Sequence, residues 1–551
     1  MIRAKRIDDF TGGLNLDTNS FRIDVNESND LLNVDLNPKG GVSSRWGFRR
    51  IHGGAVNSYS AGSFSPMSLH YWSSVDKYIM LSANNKVFWN TGVNNFTDLA
   101  INTSNQFGAK FANWNADDDK LLYIARGASY VGSKWTGAGA VTNLTSSDTG
   151  AWQEEYTTSG THMPRADLIC THGERLWVAN VTEGSSTYPN RIRFSHPLFP
   201  ERWRSTDYID IVGGGDRITG IVSFGGHLIV FKPKAVFAVY GYSEDTFQVV
   251  ELSSQIGAVS PNAIAVGDNA IYFYCNSDGL YEYTSSGIKD VFRNIRPLVI
   301  GSEINEASIS AISVGYANNR VYLSLPIGVE PITVELYDSA VEYDSAAQHY
   351  NGGTQAAKAT VSFVYDRNIG RGGAWTLYRT SDGYGLVTPI EFTNSSGVTT
   401  FVAAHPYQPY VLSIDQRLNG NRDNFLGSYS TYESYFKTGW EDGSNASSKK
   451  FWRRPEFILR QENDGTSVTV DVYNDWDGFT ETKTFEITQD AVDVSTETWE
   501  TWLTPDLGSA IIHGQSLGIA KSVQLKFYGN GLDAWSLYAM IYKYNPRKTK
   551  I

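Results

Sequence analysis

From about residue 60 to about 410, a short apolar run preceded by a polar turn recurs along the chain. The instances are Asp76-Lys-Tyr-Ile-Met-Leu, Asp119-Lys-Leu-Leu-Tyr-Ile, Gly173-Glu-Arg-Leu-Trp-Val, Gly226-His-Leu-Ile-Val-Phe, Asp268-Asn-Ala-Ile-Tyr-Phe and Asn319-Arg-Val-Tyr-Leu-Ser, then Val361-Ser-Phe-Val-Tyr and Thr400-Phe-Val-Ala-Ala. Their spacing of roughly 40 to 55 residues is that of four-stranded propeller blades. A small sheet cannot bury both faces alone, so it stacks on its neighbours around an axis, and the inner strand of each blade is expected to be the continuous apolar run. Second strands ending in aromatics follow several turns: Val87-Phe-Trp after Asn84-Asn85, Ala235-Val-Phe-Ala-Val-Tyr after Pro233-Lys234, and Leu280-Tyr-Glu-Tyr after Asp278-Gly279. The pattern predicts an all-β chain with a diverged β-propeller of six to eight blades. A large β-sandwich with similar hairpins is the other arrangement that fits.

After Asn419 the pattern changes. Ser467-Val-Thr-Val-Asp-Val-Tyr and Ser522-Val-Gln-Leu-Lys-Phe-Tyr alternate apolar and polar, as antiparallel strands with one wet face do. The predicted organisation is an N-terminal arm and hairpin (1–51), a propeller-like domain (52–418) and a C-terminal β-sandwich-like domain (419–551). In the first segment, Asn33–Leu36 and Val42–Phe48 read as two strands around Asn37-Pro-Lys-Gly-Gly, where proline presets φ and the glycines tolerate positive values. Short helices are expected at Glu27–Leu32 and Ala307–Ser313.

Composition agrees with strands and turns. The 551 residues include 13% aromatics and 51 Gly, with only 19% charged. The net charge of −12 argues against a conventional nucleic-acid binder, which gains affinity by releasing counterions from phosphate. Cys170 and Cys275 lie in or beside apolar runs and read as free thiols. The N-terminus lacks the apolar core of a secretory signal, and no run is long enough for a membrane-spanning helix. The Asn-x-Ser/Thr triplets at Asn95, Asn143, Asn180 and Asn445 are therefore read as incidental.

Catalytic and metal motifs fail on inspection. Gly514-Gln-Ser-Leu-Gly518 has the G-x-S-x-G spacing, but a strand follows it and no His occurs after His513. Asn474–Gly478 lacks the closing carboxylate of a calcium loop. Asp117–Asp119 reads as a polar turn. His162, Cys170, His172 and His196 lack the close pairing of zinc ligands. Ser277-Asp278-Gly279 is only a fragment of a sialidase box. No cofactor or metal is expected, and no enzymatic activity.

One stretch carries a resemblance. Gly12-Gly-Leu-Asn, Glu27-Ser, Asn33-Val-Asp, Gly40-Gly and Arg45-Trp-Gly47 occur in an order that resembles the N-terminus of phage tail nozzle proteins, the tubular tail protein B of short-tailed bacteriophages. It also resembles their relatives, the packaged-DNA stabilisation proteins. Tyr365-Asp366 with Trp375, Phe194-Ser195 with Arg202-Trp203, and Thr438-Gly-Trp with Lys449-Lys-Phe-Trp-Arg-Arg resemble later family segments. The resemblance implies a structural virion protein in the tail, assembled in the host cytoplasm. It would form a homo-oligomeric, six-fold ring below the adaptor and portal, contact tail fibres or spikes, and pass double-stranded DNA without sequence-specific binding. The residues singled out for assembly are Arg45, Trp46, Phe48, Lys449, Lys450, Trp452, Arg453 and Arg454, since Trp and Arg are favoured interface anchors. On a strand, Lys450, Trp452 and Arg454 would share one face and Lys449, Phe451 and Arg453 the other. A sparse Met1–Asn29 lead-in reads as an arm ordered against a neighbouring subunit, dispensable for folding. A carbohydrate-binding or glycoside-cleaving propeller and a head-completion protein are the alternatives.

Overall fold

A computed structural model describes residues 2–51, 66–297, 309, 311–327, 360–461, 467–486 and 509–546, apart from short breaks at 83–84, 92–95, 104–109, 117–118, 146–161, 216, 277, 371, 407–409, 417–421, 426–427, 476–478 and 530–533. Among these residues the chain is almost wholly strand and turn with short 3-10 turns, and the single position in α-helical conformation is Pro297. Asn95, Asp117, Asp118, Ser277, Trp476, Asp477, Gly478 and three residues of the expected helix at Ala307–Ser313 (Ala307, Ser308 and Ser310) lie outside the described residues; Ile309 and Ala311 lie in a 3-10 turn and Ser313 begins a strand.

Seven blades can be followed. The first four are Pro66–Trp72, Lys77–Ser82, Lys86–Asn90 and Thr97–Asn102; then Lys110–Ala116, Asp119–Ala125, Ser133–Trp135 and Thr142–Asn143; then Arg165–His172, Arg175–Glu183, Ser186–Phe194 and Tyr208–Asp210; then Gly220–Phe224, His227–Lys232, Ala235–Tyr240 and Gln248–Ser253. Blade five is Ile264–Val266, Ile271–Cys275, Gly279–Thr284 and Gly287–Asp290; blade six is Ser313–Ala317, Arg320–Leu325, Val361–Asp366 and Ala374–Tyr378. Blade seven is built from both ends of the propeller: Val387–Thr393, Thr399–Ala404 and Val411–Gln416 are completed by Gly47–Arg50 from the N-terminal segment. Closure of the ring buries an aromatic cluster between blades seven and one, where Phe392 stacks on Tyr71 at 3.5 Å.

The recurrent apolar run is the second strand of a blade, not the innermost. Ile271–Cys275 is buried at every position and Arg175–Glu183 at all but the last. The second strand has strands on both edges and blades on both faces, whereas the first has one edge on the axis. The run at Val361 is instead the third strand of blade six, which is why eight matches yield seven blades. Separate apolar clusters fill the interfaces between successive blades.

The C-terminal module is a β-sandwich. One sheet runs Ser509–His513, Glu456–Gln461, Trp535–Pro546, Lys450–Trp452 and Gly518–Ala520; the other contains Tyr435–Lys437, Val523–Gly529, Ser467–Asn474 and Phe479–Glu486. Phe457 meets Phe527 edge-on at 5.1 Å between them.

The N-terminal segment does not stand apart as an arm. Arg3–Ile7 pairs with the long strand Trp535–Pro546, Val34–Leu36 and Val42–Ser44 extend the same sheet, and Leu31–Leu32 joins the second sheet beside Tyr435–Phe436. The expected helix at Glu27–Leu32 is two short strands, Glu27–Ser28 against Gly13–Leu14 and then Leu31–Leu32. Neighbours supply backbone partners on both sides, which overrides a helical preference too short to nucleate alone. Phe10 is fully buried and packs edge-on against Phe436. Gly13 has φ +67°, and a Cβ there would sit 2.6 Å from the Trp375 carbonyl oxygen, so only glycine lets the lead-in press onto blade six.

Candidate functional site

The second hairpin strand is not continuous. It ends at Ser44, and the chain crosses through Arg45 and Trp46 from the sandwich into blade seven. Arg45 is buried at this crossing and uses all five of its N–H donors. Nε donates to Asn33 Oδ1 at 2.9 Å; Nη1 donates to Asp423 Oδ1 at 2.9 Å and the Trp46 carbonyl at 2.8 Å; Nη2 donates to Asp423 Oδ2 at 3.0 Å and the Arg379 carbonyl at 2.8 Å. The Phe48 and Tyr432 rings cover the guanidinium at 3.9 and 3.7 Å. Asp423 also accepts the backbone N–H groups of Phe48 and Ser381. Burial is the largest single influence and would lower the Arg45 pKa, but the charge and hydrogen bonds of Asp423 together with the Tyr432 and Tyr378 hydroxyls outweigh it, and the pKa is raised. Beside it, Arg320 bridges Asp35 and Asp366, joining hairpin to blade six. Arg45 and Phe48 are thus an internal joint between modules and not surface anchors: both are spent on partners within the chain. Trp46, between them, is 44% exposed.

The basic-aromatic segment divides similarly. Lys450 is buried, its ammonium donating to the carbonyls of Asn445, Ser448 and Lys521, with desolvation lowering its pKa. Trp452 is buried, donates Nε1–H to the Ala520 carbonyl at 3.0 Å and packs on Tyr542 and Tyr544. These two hold the sandwich together and are withdrawn as interface anchors. Lys449, Phe451, Arg453 and Arg454 face out. The expected alternation holds from Lys449 through Arg453 and fails at Arg454, which is exposed and lies beyond the end of the strand at Trp452. Ile519, opposite Phe451 in register on the terminal strand Gly518–Ala520, completes an exposed apolar pair. Nothing in the sequence marked Ile519, because its exposure follows from that strand being the terminal one of its sheet among the described residues. The patch is an apolar centre rimmed by three cations, suited to binding an acidic surface and lacking any group placed for catalysis.

The propeller axis is the other place where polar groups converge. Lys110, at the start of the first strand of blade two, donates to Asn262 Oδ1 on blade five at 2.7 Å, and Asn262 Nδ2 donates to the Met67 carbonyl on blade one at 3.0 Å. Blades two and five face each other across the ring, so this chain of contacts spans one mouth of the axial channel. Further along, Thr171 donates to the Asn113 carbonyl, and Asn113 bonds His70 and the Tyr71 carbonyl, stitching blades one to three. Burial lowers the His70 pKa.

Desolvation brings the Lys110 ammonium down from 10.5 to about 8. Between those values the unfolded chain binds more protons than the folded one, so stability at this site rises with pH. Wild type is expected to gain up to about 3 kcal/mol on Lys110→Met as pH rises from 8 to 10.5. Denaturation midpoints of the two proteins across that range check it; a constant difference would refute the buried ammonium.

The remaining motifs are accommodated structurally. Gly514–Gly518 turns between two strands, Ser516 Oγ donating to the Trp452 carbonyl at 3.1 Å. His172 meets Ser223 and His196 the Pro197 carbonyl, so they do not converge; among the described residues no cluster of three His, Cys, Asp or Glu is placed to hold a metal. Neither cysteine forms a disulfide, and burial pushes the Cys170 thiol up to about 12. The Tyr365-Asp366 and Trp375 segment is a cross-strand pair with rings 5.0 Å apart, and Gly373 is required because a Cβ there would meet the Tyr365 ring at 2.2 Å. No helix among the described residues is long and apolar enough to cross a membrane.

No protein-family description matches the chain, and no curated protein matches it. Among solved structures it is similar to Raptor from Chaetomium thermophilum (12% identity, 68% of this chain and 29% of that one, TM-score 0.38). It is also similar to the extracellular domain of the putative one-component system BT4673 from B. thetaiotaomicron (11%, 76% and 44%, TM-score 0.37) and to the RRP9 WD40 repeats (9%, 68% and 99%, TM-score 0.36). The chain spans under a third of the Raptor chain and under half of the BT4673 domain. At these scores no activity, substrate or partner transfers from them.

Proposed function

We propose that this protein is a non-enzymatic structural subunit of a phage tail nozzle, a ring in the virion that conducts double-stranded DNA from the adaptor and portal at ejection. The observation that carries this reading is the resemblance of residues 10–51, now joined to a structural role for the same words. Gly13 presses on blade six, Asn33 and Arg45 form the intermodule joint, Asp35 reaches Arg320, and Gly47 begins the strand that completes blade seven. The resembling positions are the ones that lock sandwich and propeller together, as a subunit bearing load in a ring requires.

The channel within one propeller is crossed by Lys110 and Asn262, so the DNA path in this reading lies between subunits around the ring axis. An acidic subunit repeated around that axis repels phosphate and lets DNA slide. The head-completion alternative shares this architecture and differs in its neighbours in the virion. Negative-stain images of the purified protein and of the virion test the proposal. A ring at the tail tip is expected; a monodisperse monomer with hydrolase activity would reject it.

A further inference from the structure

Two strand edges on different modules that are unpaired among the described residues carry opposite charge. On the sandwich, the terminal strand Gly518–Ala520 presents Ile519 beside Phe451, with Lys449, Arg453 and Arg454 exposed around them. None of these three cations has an ion-pair partner among the described residues. On the propeller, the outer strand of blade four, Gln248–Ser253, is exposed at four successive positions, Gln248, Val249, Val250 and Glu251, so both of its faces are uncovered. The outer strands of blades one, three and five instead alternate exposed with covered positions. Tyr242, 85% exposed, and Asp245 lie in the turn that feeds this strand. Asp245 and Glu251 also have no ion-pair partner among the described residues.

An exposed strand with apolar residues and free backbone groups is a template for another chain. Copies of a chain carrying −12 repel one another at long range, so contact between copies is favoured where a basic patch meets an acidic one. The geometry points to a head-to-tail contact in which the Phe451–Ile519 edge of one copy docks on the blade-four outer strand of the next. Arg453 and Arg454 face Asp245 and Glu251 across it, and Val249, Val250 and Tyr242 cover the apolar pair. Because the two patches are different, the contact is heterologous, and it closes into a ring when the rotation between copies divides the circle. This inference rests on the ring reading above and names its interface.

The test is charge reversal on the full chain, read by sedimentation velocity at low and high salt. The doubly reversed variants Asp245→Lys/Glu251→Lys and Arg453→Glu/Arg454→Glu are each expected to weaken assembly at least tenfold without moving the thermal midpoint, since all four side chains are exposed. Combining the four reversals in one chain is expected to restore assembly. Raised salt should weaken assembly of wild type. If wild type forms rings and the doubly reversed variants do too, or the fourfold reversal fails to restore them, this contact is wrong and the nozzle reading stands. If wild type stays monomeric and virions show no ring of it, the nozzle reading fails and takes the contact with it. Assembly that appears only on adding a second virion protein, and is lost in either reversal, assigns the edges to that partner and overturns the contact between copies.

Discussion

Asp423→Ala is expected to destabilise the folded chain by about 3–5 kcal/mol, the cost of leaving a buried charge without its counter-ion. The Arg45 guanidinium would remain buried between the Phe48 and Tyr432 rings with two of its donors unpaired, and the N–H groups of Phe48 and Ser381 would lose their acceptor. Water cannot easily replace the carboxylate, since Arg45 and Asp423 are both almost wholly buried. The double variant Arg45→Met/Asp423→Leu separates the causes. It removes both charges, so it should recover the part due to the uncompensated cation. It should still pay for the two orphaned amides, about 1–3 kcal/mol each. Denaturant midpoints of the three proteins measure this. A double variant no better than Asp423→Ala would show that the charge is not what matters. Because the joint ties hairpin, propeller and sandwich together, loss of the pair should also make the two modules melt at separate temperatures, which scanning calorimetry would show.

Deleting Met1–Asn29 should unfold the sandwich instead of leaving a folded subunit with impaired assembly. The segment contributes the strand paired along Trp535–Pro546 and buries Ile7, Phe10, Leu14 and Ile23. At about 1.5–3 kcal/mol for each fully buried side chain, their loss is comparable with the whole stability of a typical domain, about 5–15 kcal/mol. Gly47–Arg50 remains in the deletion, so blade seven keeps the strand that links Val411–Gln416 to Arg422–Phe425, and the propeller should persist. Limited proteolysis should therefore cut within 430–546 first and spare the blades. A deleted protein whose sandwich resists protease like wild type would return the lead-in to the role of a dispensable arm.

These two expectations mark where local pattern stops being informative. Runs such as Leu228–Lys232 and Ile271–Cys275 are legible because every side chain is buried, whichever blade covers it; period and apolar content alone reveal them. The blade identity of Val361–Asp366 is not legible, because a third strand flanked on both sides looks like a second. The lead-in reads as poor in core residues since its buried apolar positions, Ile7, Phe10, Leu14 and Ile23, are scattered among polar residues and Gly. Their partners, such as Phe436, lie some four hundred residues away. Arg45 and Trp452 were recognisable as unusual residues, yet an arginine or tryptophan that fills an internal joint and one that anchors a partner have the same local signature. Only the contacts made by distant segments separate them.

What the sequence by itself determined is the all-β character, the blade period and the two turns at Asn37–Gly41 and Asp278–Gly279. All of these follow from interactions within about fifty residues. The sheet of blade seven runs on through Arg422–Phe425 and Ser428–Thr431, past the predicted boundary at 418. The tertiary structure alone decided that seven blades close by borrowing Gly47–Arg50, that the first fifty residues are shared between both modules, and that Lys450 and Trp452 are buried while Arg453, Arg454 and Ile519 are free to meet a partner. The physical reason is the same in each case. Burial and pairing at a strand edge depend on which remote strand arrives beside it, and that is a property of the folded chain.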